Sequence, residues 1–161
     1  MALPGRLHSL YELCLPGLPL WDLCCDHGLL GLWALERGAH TEVIFNDAVA
    51  HVLTALPAKI AGRPGRVVCA NAEDISEPLL GNVVLAGIGG EKVVKILQAH
   101  ARRGGLRAKR IAVCPEKDAL WMLAQVIPGY RLCEQREIPH NHGTRWIAYY
   151  VPDAAPHTSA G

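Results

Sequence analysis

No apolar run in these 161 residues comes near the roughly 20 that a bilayer-spanning helix requires, because charge, glycine or proline interrupts every one. The opening stretch MALPGRLHSLYELC lacks the charged-then-apolar order of a secretory leader, so a cytoplasmic protein with no membrane partner is the expectation. Net charge is missing as well. Sixteen Lys and Arg against fifteen Asp and Glu leave +1, which excludes an overall electrostatic footprint for nucleic acid or a membrane surface. The six cysteines contain no C-x-x-C pair, and Cys69, Cys114 and Cys133 sit in the apolar runs RVVCA, IAVCP and YRLCE. They read as buried thiols rather than disulfides or zinc ligands. His140 and His142 have no cysteine or carboxylate partners beside them, so no metal site is expected. No internal repeat is visible.

What is present is apolar substance in a regular alternation. Half of the residues are hydrophobic, enough for one domain, expected over residues 1–152, with a small, polar tail at 153–161 expected to be disordered. Short apolar runs at 20–25, 42–46, 66–70, 82–87 and 110–114 are separated by helical spacing. That alternation predicts an α/β fold with a mainly parallel sheet covered by helices on both faces, each strand central or nearly so. One helix is predicted from Asp47 to Ile60, kinked at Pro57 and ended by Gly62. Others are predicted over Gly89–Arg103 and, capped by Asp118, over Ala119–Ile127. Residues 130–138 and 144–151 look like strands joined through His140-Asn141-His142-Gly143, a C-terminal antiparallel hairpin.

In an open parallel sheet, ligands bind beyond the carboxyl ends of the strands. After the first strand a dinucleotide fold would place G-x-G-x-x-G, so that bare backbone could approach a pyrophosphate. The sequence instead reads Asp22-Leu23-Cys24-Cys25-Asp26-His27-Gly28. Two carboxylates there repel phosphate and suit a ligand carrying positive charge, such as S-adenosylmethionine with its sulfonium and ammonium. Asp26 could equally be a helix cap, whereas Asp22, inside the strand, is costly unless it is paired. Asp47 ends the second strand, where a carboxylate can accept both hydroxyls of a ribose or cap the next helix. Asn71-Ala72-Glu73-Asp74 offers groups able to read an adenine edge. Ala86-Gly87-Ile88-Gly89-Gly90 permits close backbone approach by a ligand or base, or is only a tight turn.

LWDLCCDHGLLGLWAL, VIFNDAV, VVLAGIGGEKVVKIL and AVCPEKDALWML together resemble successive motifs of the bacterial TrmK-type tRNA adenine-N1 methyltransferases, over about Arg6 to Val151. The resemblance implies a Rossmann-like class I methyltransferase fold, S-adenosylmethionine as cofactor and tRNA as partner. It implies that Asp22, Cys24, Asp26, Gly28, Asp47, Ala48, Asn71, Ala72, Glu73, Ala86 and Gly87 border the cofactor, and Ile88, Gly89, Gly90, Lys92 and Pro115 the acceptor. The chain departs from the family at Cys24, where a glycine is usual, and at Asn71, where a carboxylate is common. Family members usually continue into a helical C-terminal region that helps hold tRNA, and this sequence does not contain one. Another RNA or a small molecule as acceptor, or a non-catalytic nucleoside-binding module, are the alternatives.

Adenine N1 attacks through a ring lone pair, so alignment does most of the work. Asp26 is the expected stabiliser of the developing positive charge, with His27 orienting it or lying near the base. Between Glu91 and Glu116, Lys92, Lys95, Arg102, Arg103, Arg107, Lys109 and Arg110 occur without an acid. Arg102 to Arg110 are expected to form a solvated loop rather than an RNA contact.

Overall fold

The computed structural model describes residues 2–154. Helix α1 (Gly5–Glu12) precedes strand β1 (Leu20–Leu23). Then come α2 (Leu29–Arg37), β2 (Val43–Asp47), the short helices α3 (Ala50–Leu53) and α4 (Leu56–Ile60), and β3 (Gly65–Cys69). A 3-10 turn at Ala72–Asp74 leads to β4 (Leu79–Ala86), α5 (Gly90–Arg102), β5 (Leu106–Cys114), α6 (Ala119–Leu123), β6 (Tyr130–His140) and β7 (Gly143–Pro152). The seven strands form one sheet in the order β3-β2-β1-β4-β5-β7-β6. Strands β1 to β5 pair in parallel, while β7 runs antiparallel to both of its neighbours. The chain thus reverses its direction of travel across the sheet at β1, between β2 and β4. This is the Rossmann-like methyltransferase architecture expected from the sequence.

Period-two alternation sends Val43, Phe45 and Val84 to one face, where they pack with Leu7 and Leu10 of α1, Leu30 and Ala34 of α2, and Leu53 and Leu56. Ile44, Val83, Leu85, Ile111 and Val113 point to the other face and meet Val93, Ile96 and Leu97 of α5 and Met122 of α6. Both faces are covered, as the unbroken apolar runs require.

Several expectations need correction. Strands β4 and β5 begin earlier than expected, at Leu79 and Leu106, which pair with each other. At Gly81 (φ 73°) of β4 the register shifts, leaving Lys109 as the extra residue of β5, and Arg107 and Lys109 are the outward residues of a strand whose Leu106 and Ala108 face the core. The basic run is therefore strand, not loop, from residue 106 onward. The helix expected over 47–60 is two helices, with Pro57 in the first turn of α4, where its missing N–H costs nothing. Asp118 has φ 58° and makes no side-chain cap, and α6 stops at Leu123 rather than Ile127. Strand β3 is an edge strand. Cys69 at its end and Cys133 at a bulge in β6, the opposite edge, are exposed, whereas Cys114 in β5 is buried, and all six thiols are free. Asp153, at the start of the expected tail, donates its amide to Gly129 O at 2.9 Å; residues 155–161 lie outside the described residues. None of the described helices is long and apolar enough to cross a membrane.

Asn82, fully buried in β4, ties the connection before β1 to the sheet. Its Oδ1 accepts from Leu15 N at 2.8 Å, and its Nδ2 lies 2.9 Å from Leu15 O and 3.2 Å from Pro19 O. Replacing Asn82 with Ala strands these buried groups and should lower unfolding stability by about 2–4 kcal/mol, read as a lower urea midpoint at unchanged m.

Candidate functional site

Beyond β1 the chain makes a turn that glycine would ordinarily ease. Cys24 and Asp26 both adopt left-handed backbone, φ 53° and 52°, which costs non-glycine residues about 1 kcal/mol or more each. The turn is held from the end of β2. Three successive backbone amides donate into two successive residues: Cys24 N to Asn46 Oδ1 at 3.4 Å, Cys25 N to Asn46 O at 2.7 Å, and Asp26 N to Asp47 Oδ2 at 2.9 Å. Asn46 is fully buried, and its Nδ2 donates onward to Val68 O of β3 (3.0 Å) and Ala70 O just past that strand (2.9 Å). One asparagine therefore joins three strand ends.

The geometry removes the capping role considered for Asp26. Helix α2 is entered through Gly28 at φ 76°, without any side-chain cap. A Cβ there would stand 2.9 Å from both Leu56 Cδ2 and Phe45 Cδ1, so Gly28 serves packing beneath the turn. The Asp26 carboxylate is largely exposed, with His27 Nε2 3.7 Å from its Oδ1. Asp47 shares its second oxygen with Val49 N at 3.0 Å, so one carboxylate braces the turns after both β1 and β2.

Asp22 is buried and carries no opposing cation among its described contacts; its Oδ2 accepts the Gly31 amide, in the first turn of α2, at 3.0 Å. Burial pushes its carboxyl up to about 7, against the Gly31 hydrogen bond and with the Asp47 charge adding to the rise. Burial likewise pushes the Cys24 thiol up to about 11, which leaves it neutral at ordinary pH.

A cleft of about 440 Å³ opens over the carboxyl ends of β1, β2 and β4, at the reversal point. Of the residues expected from the sequence, Asp22, Cys24, Asp26, His27, Asp47, Ala48, Asn71, Ala72, Ala86, Gly87, Ile88 and Lys92 line it. Others lie elsewhere. Glu73 lines a neighbouring groove, its Oε1 3.3 Å from Lys95 Nζ; Gly90 packs under α6, where a Cβ would lie 2.7 Å from Asp118 O; and a Cβ on Gly89 would meet Lys117 Cε at 3.1 Å. Pro115 borders a neighbouring groove with Trp121 and Trp146. The sequence reading missed Arg6 and Leu7, which α1 brings to the cleft, and Glu116, two residues past β5. Glu116 obeys the strand-end rule and was findable; Arg6 precedes every strand and was not. Three carboxylates (Asp26, Asp47, Glu116), with the buried Asp22 beneath them, face two cations (Arg6, Lys92), a balance suited to a cation-bearing ligand and unsuited to pyrophosphate. Among the described residues no three His, Cys, Asp or Glu are grouped as a metal site would require.

A parallel sheet of this order with an acidic, glycine-poor turn at its reversal point is the frame of a methyltransferase domain. Residues 3–128 match the methyltransferase domain family, and the chain belongs to it. No curated protein matches in sequence. In fold the chain is similar to TrmK of M. capricolum, solved with S-adenosyl-homocysteine (14% identity, 95% of this chain and 70% of that one, TM-score 0.78). It is also similar to Sp1610 of Streptococcus pneumoniae, solved with S-adenosyl-L-methionine (18%, 98% and 77%, 0.76), and to the B. subtilis m1A22 tRNA methyltransferase TrmK (14%, 94% and 67%, 0.78). At these identities the likeness is one of fold.

The raised Asp22 carboxyl makes a pH prediction. The folded protein keeps this proton up to about 7 while the unfolded chain releases it near 3.8, so Asp22 supports folding at low pH and that support is lost as pH rises between the two values. Asp22→Asn keeps an acceptor for Gly31 and should flatten this decline, measured as urea stability at pH 5 and pH 7.5. A decline as steep in the variant as in the wild type would contradict the assignment.

Proposed function

We propose that this methyltransferase uses S-adenosylmethionine to methylate N1 of an adenine in tRNA. The observation that carries the cofactor reading is the turn after β1, where carboxylates stand in place of the glycines a pyrophosphate needs and Asp47 waits at the end of the next strand. The residues fit the group. The cleft volume lies within the range of small-ligand sites; Asp22 and the turn suit the amino-acid end with its positive charge, Asp47 the ribose hydroxyls, and Asn71 with Ala72 the adenine edge. When bound, the cofactor supplies an electrophilic methyl group on a cationic sulfur. The acceptor reading draws support from the fold shared with the B. subtilis m1A22 tRNA methyltransferase and from the motifs of the TrmK-type family.

Within that reading the chain's own residues have limited but definite tasks. Adenine N1 offers a lone pair that needs no prior deprotonation, so no strong base is required. The open Gly87-Ile88 segment lets a planar base approach the backbone. Asp26, exposed at the cleft and free of capping duty, presents a carboxylate to the positive charge that develops on the base. His27 sits beside that carboxylate and orients it. Lys92 and Arg6 offer cations to an acceptor phosphate.

Calorimetry should show S-adenosylmethionine and S-adenosylhomocysteine binding more tightly than NAD; tighter NAD binding would overturn the cofactor reading. Asp26→Asn keeps shape and removes charge. On a tRNA with an unmodified D-arm adenine it should lower turnover at least about tenfold, equivalent to about 1.4 kcal/mol in the barrier, with Tm nearly unchanged because the carboxylate caps nothing. Equal turnover would contradict the role of Asp26. A wild-type protein that binds cofactor yet leaves this adenine unmodified would shift the acceptor to another RNA or a small molecule.

A further inference from the structure

The 3-10 turn at Ala72–Asp74 stands behind one wall of the cleft, to which Asn71 and Ala72 contribute. Its internal bonds are few: Asp74 N to Asn71 O at 2.9 Å, Ile75 N to Ala72 O at 3.5 Å and Asn71 Nδ2 to Asp74 Oδ2 at 3.4 Å. Ala72 and Ile75 are buried in the core, and further polar support comes from the far end of α5. His100, fully buried, places Nε2 2.7 Å from Ala72 O. A carbonyl only accepts, so the ring carries its hydrogen on Nε2 and leaves Nδ1 as an acceptor. Arg103 Nη2 donates its two hydrogens to Glu73 O at 2.6 Å and Ile75 O at 2.8 Å, and lies 3.2 Å from that Nδ1. Lys95 Nζ lies 3.3 Å from Glu73 Oε1. The carbonyls of residues 72, 73 and 75 are thus all held from outside the cleft by two side chains that do not line it.

We infer that His100 and Arg103 are positioning residues for the cofactor: they fix the Asn71–Asp74 wall at the place where the adenine would lie. The inference rests on the cofactor reading above. It also gives Arg103 a task other than the solvation or RNA contact that a basic run suggests. A short turn with little internal bonding would otherwise sample several arrangements, and a ligand pays for selecting one of them in affinity.

Arg103 is exposed, so removing it opens no cavity, and Arg103→Ala is the variant to test beside Arg103→Lys and the wild type. Arg103→Ala should weaken S-adenosylhomocysteine binding about tenfold, the order expected for bonds from a charged donor, and speed amide hydrogen exchange at Asp74 and Ile75 in the ligand-free protein. Arg103→Lys, whose ammonium can still reach the carbonyls, should recover part of both. Unchanged affinity in Arg103→Ala, with or without a lower Tm, would overturn the inference while leaving the cofactor reading intact. A wild type that binds no S-adenosylhomocysteine would overturn both.

Discussion

Three backbone amides, those of Cys24, Cys25 and Asp26, donate into Asn46 and Asp47, and the site depends on that clamp. The β1–α2 turn must curl tightly at a point where most nucleotide folds use glycine. Here two non-glycine residues hold left-handed backbone, and the adjoining strand supplies the hydrogen bonds that offset the strain. In return the turn carries side chains that glycine could not, a neutral thiol at Cys24 and a charged carboxylate at Asp26, both facing the cleft. Because Asn46 also binds the carbonyls of Val68 and Ala70, the same residue ties the ends of β1, β2 and β3 together.

The cleft consequently has walls fixed from behind. Asp22 is buried beneath the turn and anchored by the first turn of α2; Asp47 braces two loops at once; the Asn71–Asp74 segment is held by α5. Polar groups held in advance need little rearrangement when charge develops, which is how an enzyme without an acid–base step gains most of its rate. The surplus of carboxylates over cations extends the same logic to the ligand, since it favours a positively charged group at the reversal point.

Much of this was legible in the sequence because its signals are local. The apolar runs reveal the strands, and their lack of alternation reveals coverage on both faces. Asp22, Asp26 and Asp47 stand immediately within or after strands, where a polar side chain must face the cleft or find a partner. What escaped reading depends on distant neighbours. Asn46 looks like an ordinary polar break at the end of VIFN, and only the positions of Cys24 and Val68 reveal it as a hub. Arg6 reaches the cleft because α1 packs on the sheet, which no spacing announces. Arg107 and Lys109 look like a loop until Leu106 and Ala108 are seen to alternate with them. Glu73 was assigned to the cleft by its place after β3, but it pairs with Lys95 of α5 in a neighbouring groove.

A crystal structure of the chain grown with S-adenosylhomocysteine tests the central claim most directly, because it locates the ligand without any assumption about the acceptor. The account predicts the ribose hydroxyls on Asp47, the adenine beside Asn71 and Ala72, the amino-acid end toward the turn after β1, and residues 24–28 unmoved. A ligand bound outside the cleft, or a turn that must release its bonds to Asn46 and Asp47 to admit it, would contradict it.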